Sequence, residues 1–125
     1  MASPQARPRV ILDVVLEREF FFLLLENIGN EPAVNVSTKL GPKVIGPDGK
    51  TEVNTLNVFR SVEFFAPGKR FRILLGYSTV YFAANQPTAL TAVITYSDQS
   101  GNHYSESISH DLEIYRDMPH GVDGD

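Results

Sequence analysis

The sequence predicts an antiparallel β-sandwich of seven or eight short strands. Three observations carry that expectation. Apolar residues recur with a period of two along most of the chain, and clusters of Gly, Pro, Asn and Asp separate the apolar segments. No window of about 11 residues or more shows a helical period. A chain of 125 residues is one domain's worth and can bury a core without cross-links. It has no cysteines, which excludes disulfides, thiolate zinc sites and a cysteine nucleophile.

The elements follow in order. Residues 10–16 (VILDVVL) are rich in β-branched side chains and form a first strand. Residues 20–28 make a second, closed by Gly29-Asn30. Val34, Val36, Thr38 and Leu40 alternate with Asn35, Ser37 and Lys39, as a half-buried strand requires. Gly46-Pro47-Asp48-Gly49 is a turn, with proline presetting φ and glycine accepting left-handed geometry. Val58, Val62 and Phe64 share a strand face that Arg60 interrupts, up to the turn Ala66-Pro67-Gly68-Lys69.

Phe71, Ile73 and Leu75 then alternate with Arg70, Arg72 and Leu74, and residues 77–87 read as a long crossover. Leu90, Ala92, Ile94 and Tyr96 make the next inward stripe, and residues 98–102 a hairpin loop. In the last strand Tyr104, Ile108, Leu112 and Ile114 share one parity, while Ser105, Ser107, Ser109, Asp111 and Glu113 share the other. The domain spans residues 10–115, between a flexible N-terminal segment (1–9) and a flexible acidic tail (116–125).

Three landmarks resemble a known family. Residues 26–36 (ENIGNEPAVNV) are similar to the N-x-G-N-x-P-A-x-N-V signature of bacterial immunoglobulin-like sandwiches, of which the cell-adhesion-related domain of bacteria is the best-known group. Residues 64–69 (FFAPGK) resemble the L-x-P-G-E/K turn of those domains. Ile94 to Asp98 with Gly101 to Tyr104 resemble their final Y-x-D-x-x-G-x-x-Y hairpin. The resemblance implies an immunoglobulin-like fold and a non-catalytic interaction or scaffolding module. Such modules are often attached to a membrane anchor or a larger protein. An extracytoplasmic or tethered location follows if the chain is part of a longer protein, and a cytoplasmic one otherwise. In physical terms Gly29 and Asn30 tolerate positive φ at the strand end, and Pro32, lacking an N–H, suits a loop.

Charge and hydropathy exclude other classes. Eleven Lys and Arg against 15 Asp and Glu give a net charge of −4, the wrong sign for a nucleic-acid partner. The longest apolar run, residues 20–25, is far short of the roughly 20 residues that cross a bilayer, so no direct membrane insertion by this chain is expected. The N-terminus MASPQARPR has no apolar h-region behind it and does not read as a signal peptide.

Catalytic and metal chemistry find no complete constellation. His103, His110 and His120 are the only histidines, and His110-Asp111 with Asp98 or Glu106 is the one grouping worth weighing. His110 shares the parity of Ile108 and Leu112, so it reads as a core-edge histidine with a hydrogen-bond partner. Asp117, Asp123 and Asp125 lack the loop spacing of a calcium site. No G-x-S-x-G elbow, Walker loop or dinucleotide fingerprint occurs. No enzyme activity, metal or cofactor is expected. Asn35-Val36-Ser37 is formally a glycosylation sequon, but it lies within a strand.

Three surface readings remain. Lys69, Arg70 and Arg72, with Arg60 on the adjoining strand, form either a patch for an acidic partner or a solvated, blunted edge. Tyr77, Tyr81 and Phe82 form either an aromatic platform for carbohydrate or core filling beneath the crossover. The run FFFLLL would make a strand apolar on both faces, although a two-layer sandwich has one core. The face bearing Phe21, Leu23 and Leu25 therefore needs a cover. The 77–87 crossover or a protein partner, including a second copy in a homo-oligomer, would supply it.

Overall fold

Each of the seven strands pairs antiparallel with its neighbours in the computed structural model, which describes residues 6–118. Strands β1 (Val10–Glu17), β2 (Phe20–Asn27) and β5 (Arg70–Tyr77) form one sheet in the order β1-β2-β5. Strands β3 (Ala33–Gly41), β4 (Val62–Phe65), β6 (Ala89–Ser97) and β7 (His103–Asp111) form the other in the order β4-β3-β6-β7. Two short helices, α1 (Asn57–Arg60) and α2 (Ser78–Ala83), lie in the connections. The molecule is an all-β sandwich.

The core lies between the sheets. Val10, Leu12, Val14 and Leu16 of β1 and Phe21, Leu23 and Leu25 of β2 face Leu90, Ala92, Ile94 and Tyr96 of β6. In the β1–β2 hairpin Leu12 stands opposite Leu25, Val14 opposite Leu23 and Leu16 opposite Phe21, so large apolar side chains meet on the inner face. The hairpin turn is Arg18-Glu19, both at positive φ (49° and 72°), the geometry that matches strand twist in a two-residue loop.

Side chains finish the sheet edges. The Leu12 carbonyl of edge strand β1 accepts from His110 Nε2 at 2.8 Å, and the Val14 carbonyl accepts from the Tyr115 hydroxyl at 3.3 Å. His110 is thus a core-edge residue bonded to backbone. On the other side β4 pairs with β3 only as far as Val36. Beyond it the Asn54 amide takes the Leu40 N–H and donates to the Leu40 carbonyl, both at 2.8 Å, closing an edge that would otherwise lie open.

The N-terminal segment is held before β1 begins. The Arg7 guanidinium sits 3.1 Å from Glu106 and 4.4 Å over the Tyr104 ring, and the Arg7 N–H donates to Asn30 Oδ1. A Cβ on Gly29 would come within 2.4 Å of the Arg7 carbonyl oxygen and 2.5 Å of the Arg9 nitrogen. Gly29 is required by this close approach of two backbones; its φ is not positive.

Several local expectations need correction. Asn35 adopts positive φ (53°) at a β-bulge, so the inward set of β3 is Ala33, Val36, Thr38 and Leu40, and Val34 is displaced from it. Residues 57–60 are helical, which puts Arg60 on α1 and not on a strand beside β5. In β4 Phe65 is the core residue and Phe64 is exposed. The last strand ends at Asp111, and a 3-10 turn over Leu112–Tyr115 leaves Ile114 in solvent. His120, Asp123 and Asp125 lie outside the described residues.

Candidate interaction face of the three-stranded sheet

The two faces of β2 have different fates. Phe21, Leu23 and Leu25, the expected interface, are fully buried between the sheets. The expectation of a partner there is corrected: their cover is the opposite sheet, and at Phe21 the 77–87 crossover contributes the rings of Tyr81 and Phe82 at 5.5 and 5.6 Å, beside Tyr115 at 5.7 Å. The outward set is Phe20, Phe22 and Leu24, all half-buried.

Strand register sets the neighbours of these residues. Val15, Phe22 and Leu74 form one row across the sheet, Asp13, Leu24 and Arg72 the next, and Glu17, Phe20 and Tyr77 a third. A bulge at Leu75 in β5 preserves this outward parity, and Leu75 itself turns into the core. Leu74, Tyr77 and Val80 are 40%, 52% and 61% exposed and extend the apolar surface onto α2. The Tyr77 ring stacks on Phe20 at 4.3 Å.

This surface runs into a cleft of about 770 Å³ lined by Phe20, Leu74, Tyr77, Val80 and Pro47. Its far wall is the loop before α1, fastened where Gln86 bonds both backbone groups of Ile45, at 2.9 and 2.7 Å. The outer face of the other sheet is hydroxyl-rich. Ser105, Ser107 and Ser109 are exposed on β7, and Thr91 bonds Ser109 across strands at 2.9 Å.

Charge is segregated across the candidate face. Asp13 and Glu17 lie on β1, and Arg70 and Arg72 on β5. The Arg72 guanidinium crosses 4.2 Å above the Phe22 ring and reaches Glu17 at 3.2 Å. Of the expected basic patch, Lys69 sits over Phe71 at 5.5 Å, while Arg60 is on α1.

The three-residue aromatic platform does not form. Tyr77 is exposed, but Tyr81 is buried with its hydroxyl donating to the Pro87 carbonyl, and burial pushes its pKa up to about 12. Phe82 packs against the core beneath the Arg116 guanidinium, which lies 4.2 Å from its ring. Among the described residues no group of three His, Asp or Glu side chains could hold a metal ion.

The sequence contained a signal for the outward face. On β1 the charges Asp13 and Glu17 share a parity opposite to Val10, Leu12, Val14 and Leu16, and on β5 Arg70 and Arg72 share the parity of Leu74. Those charges mark the solvent side. Only the register shows that Phe20, Phe22 and Leu24 lie between them.

Fold and face together define an all-β sandwich with one apolar outer surface. Residues 1–116 match the family described as Domain of unknown function (DUF8453), and the chain belongs to that family. Neither curated proteins nor solved structures gave a match.

Proposed function

We propose that this protein is a non-catalytic protein-interaction module of immunoglobulin-like type, and that the outer face of β1, β2 and β5 is its binding surface. The observation that carries the reading is the apolar surface of Leu74, Phe20, Tyr77 and Val80, flanked by Val15 and by Phe22 beneath the Arg72 guanidinium. Sheet faces turned to water are normally polar, as the serine-rich face of β7 is, and an exposed apolar patch rimmed by charge is characteristic of an interface. The strand orders β1-β2-β5 and β4-β3-β6-β7 favour the immunoglobulin-like reading, since three- and four-stranded antiparallel sheets joined by crossing connections are the architecture of that group.

The mechanism is surface complementarity. A rigid sheet holds Phe22, Leu24 and Leu74 in fixed positions, so little side-chain entropy is lost on docking. The charged rim then sets orientation more than affinity.

A photo-crosslinking amino acid placed at Val80 and, separately, at Ser107 tests the reading in cells. Protein adducts are expected from position 80 and not from 107, and Leu74→Asp should abolish them. Equal adducts from both faces, or none from position 80, would overturn the proposal.

A further inference from the structure

We infer that this face docks a second copy of the chain, the two three-stranded sheets stacked about a two-fold axis parallel to their strands. The inference rests on the reading of the face as an interface and names its partner.

The charge pattern of the face has the symmetry of that axis. The sheet order places the acids Asp13 and Glu17 on one edge strand and the bases Arg70 and Arg72 on the other, with the apolar residues of β2 between. A two-fold axis running along β2 lays β5 of one copy over β1 of the other and leaves position along the strands unchanged. The row Asp13–Leu24–Arg72 then meets the same row reversed. Each Arg72 faces Asp13 of the second copy, and Leu24 faces Leu24. The row Val15–Phe22–Leu74 likewise meets its own reverse, apolar against apolar throughout.

A two-fold axis across the strands would place β1 over β1 and β5 over β5. With that axis through the Val15–Phe22–Leu74 row, Asp13 would confront Glu17 of the second copy, while Arg72 would face Tyr77. Juxtaposed like charges disfavour that arrangement. The pattern therefore selects one orientation. At the strand ends the parallel axis brings Glu26 near its own copy, and each Glu26 has Arg70 in register beside it to compensate.

Arg72 already has a partner in the single chain. Its pair with Glu17 is a surface pair, with side chains 46% and 42% exposed, and such pairs contribute little. On docking, Arg72 exchanges Glu17 for Asp13 of the second copy. Three strands of eight residues make a face of roughly 14 by 26 Å. The contact therefore falls below about 1,200 Å² of total buried surface, in the weak and salt-sensitive class.

Sedimentation velocity from micromolar to millimolar concentration tests this on the wild type, Asp13→Arg, Arg72→Asp, their equimolar mixture, and the doubly reversed chain. The wild type should dimerise, and each single reversal should weaken the dimer at least tenfold. The mixture and the doubly reversed chain should both recover it, because each facing pair of positions 13 and 72 is again of opposite sign. A wild type monomeric throughout, a dimer indifferent to the reversals, or a mixture that does not recover would each overturn the inference.

Should a reversed chain fail to fold, the absence of native cysteine offers a second measurement. Leu24→Cys, on the axis, should be joined into dimers by a short bismaleimide faster than Ser107→Cys on the other sheet; equal rates would overturn self-docking. A monomeric purified chain that still crosslinks a different protein through position 80 overturns self-docking and leaves the interface reading standing. Absence of any adduct at position 80 removes both.

Discussion

Asn27 Nδ2 donates to the Phe65 carbonyl at 3.0 Å, tying the end of β2 in one sheet to the end of β4 in the other. The same amide donates to the Glu31 carbonyl at 3.0 Å, and its oxygen accepts from the Arg9 and Gly29 N–H groups at 3.1 and 3.0 Å. Asn27 is completely buried, and all its amide hydrogens and both oxygen lone pairs are used. One side chain thus joins the two sheets, the N-terminal segment and the loop into β3.

Asn27→Leu should cost about 3 kcal/mol, because it leaves several backbone groups unpaired in the interior. Asn27→Asp should cost at least as much, since a carboxylate keeps the acceptors but loses both donors and buries a charge. Urea denaturation measures both, and a loss below about 1 kcal/mol would contradict the role.

The two faces of β2 should answer differently to the same substitution. Leu23→Glu places an unpaired charge in the inter-sheet core and should unfold the protein or cost more than about 4 kcal/mol. Leu24→Glu, on the outer face, should leave the fold intact with a loss below about 1 kcal/mol. Thermal melts followed by circular dichroism separate the outcomes; equal losses would contradict the assignment of faces.

That contrast shows what was legible before the structure. The sandwich, the inward stripes of β5 and β6, and the turns at Gly46–Gly49 and Asp98–Asn102 follow from alternation and turn chemistry. The face of β2 did not, because Phe20 to Leu25 is uniformly apolar and alternation carries no information there. The inward set of β3 slipped because a bulge at Asn35 adds one residue that no pattern of two can register. The short α1 helix escaped because four residues are less than two turns. Gly29 was legible as a special position, but its reason, a backbone so close that a Cβ would come within 2.5 Å of it, belongs to residues twenty positions away.

The β1–β2 turn holds two non-glycine residues at positive φ, where glycine or asparagine is preferred. Glu19→Gly should relieve that strain and raise stability by about 0.5–1 kcal/mol, since the Glu19 carbonyl still accepts from the Ser78 N–H at 2.8 Å. Chemical denaturation provides the check. Destabilisation would mean that the Glu19 side chain holds the turn in a way its backbone does not.

In the 46–51 turn, the Thr51 hydroxyl, then the Thr51 and Lys50 N–H groups, hold the Asp48 carboxyl down from 3.8 to about 2. A depressed carboxylate stabilises the fold only when ionised. Its contribution is complete above about pH 4 and is lost as pH falls through about 2. Carbon-detected NMR titration should give the low midpoint in the wild type and a rise toward 3.8 in Thr51→Val. A wild-type midpoint already at 3.8 would contradict the geometry.

Methyl relaxation by a soluble paramagnetic chelate tests the central claim most directly, because it reads both faces of the same sheet at once. In dilute protein the methyls of Leu74 and Val80 should relax strongly while those of Leu23 and Leu25 stay silent. On raising the concentration, Leu74 and Val15 should become protected while exposed Val93, on the opposite sheet, stays relaxed. Relaxation of Leu23 and Leu25 in the folded protein, or no protection of Leu74 and Val15 at any concentration or with a crosslinked partner, would contradict an interaction face on the outside of β1, β2 and β5.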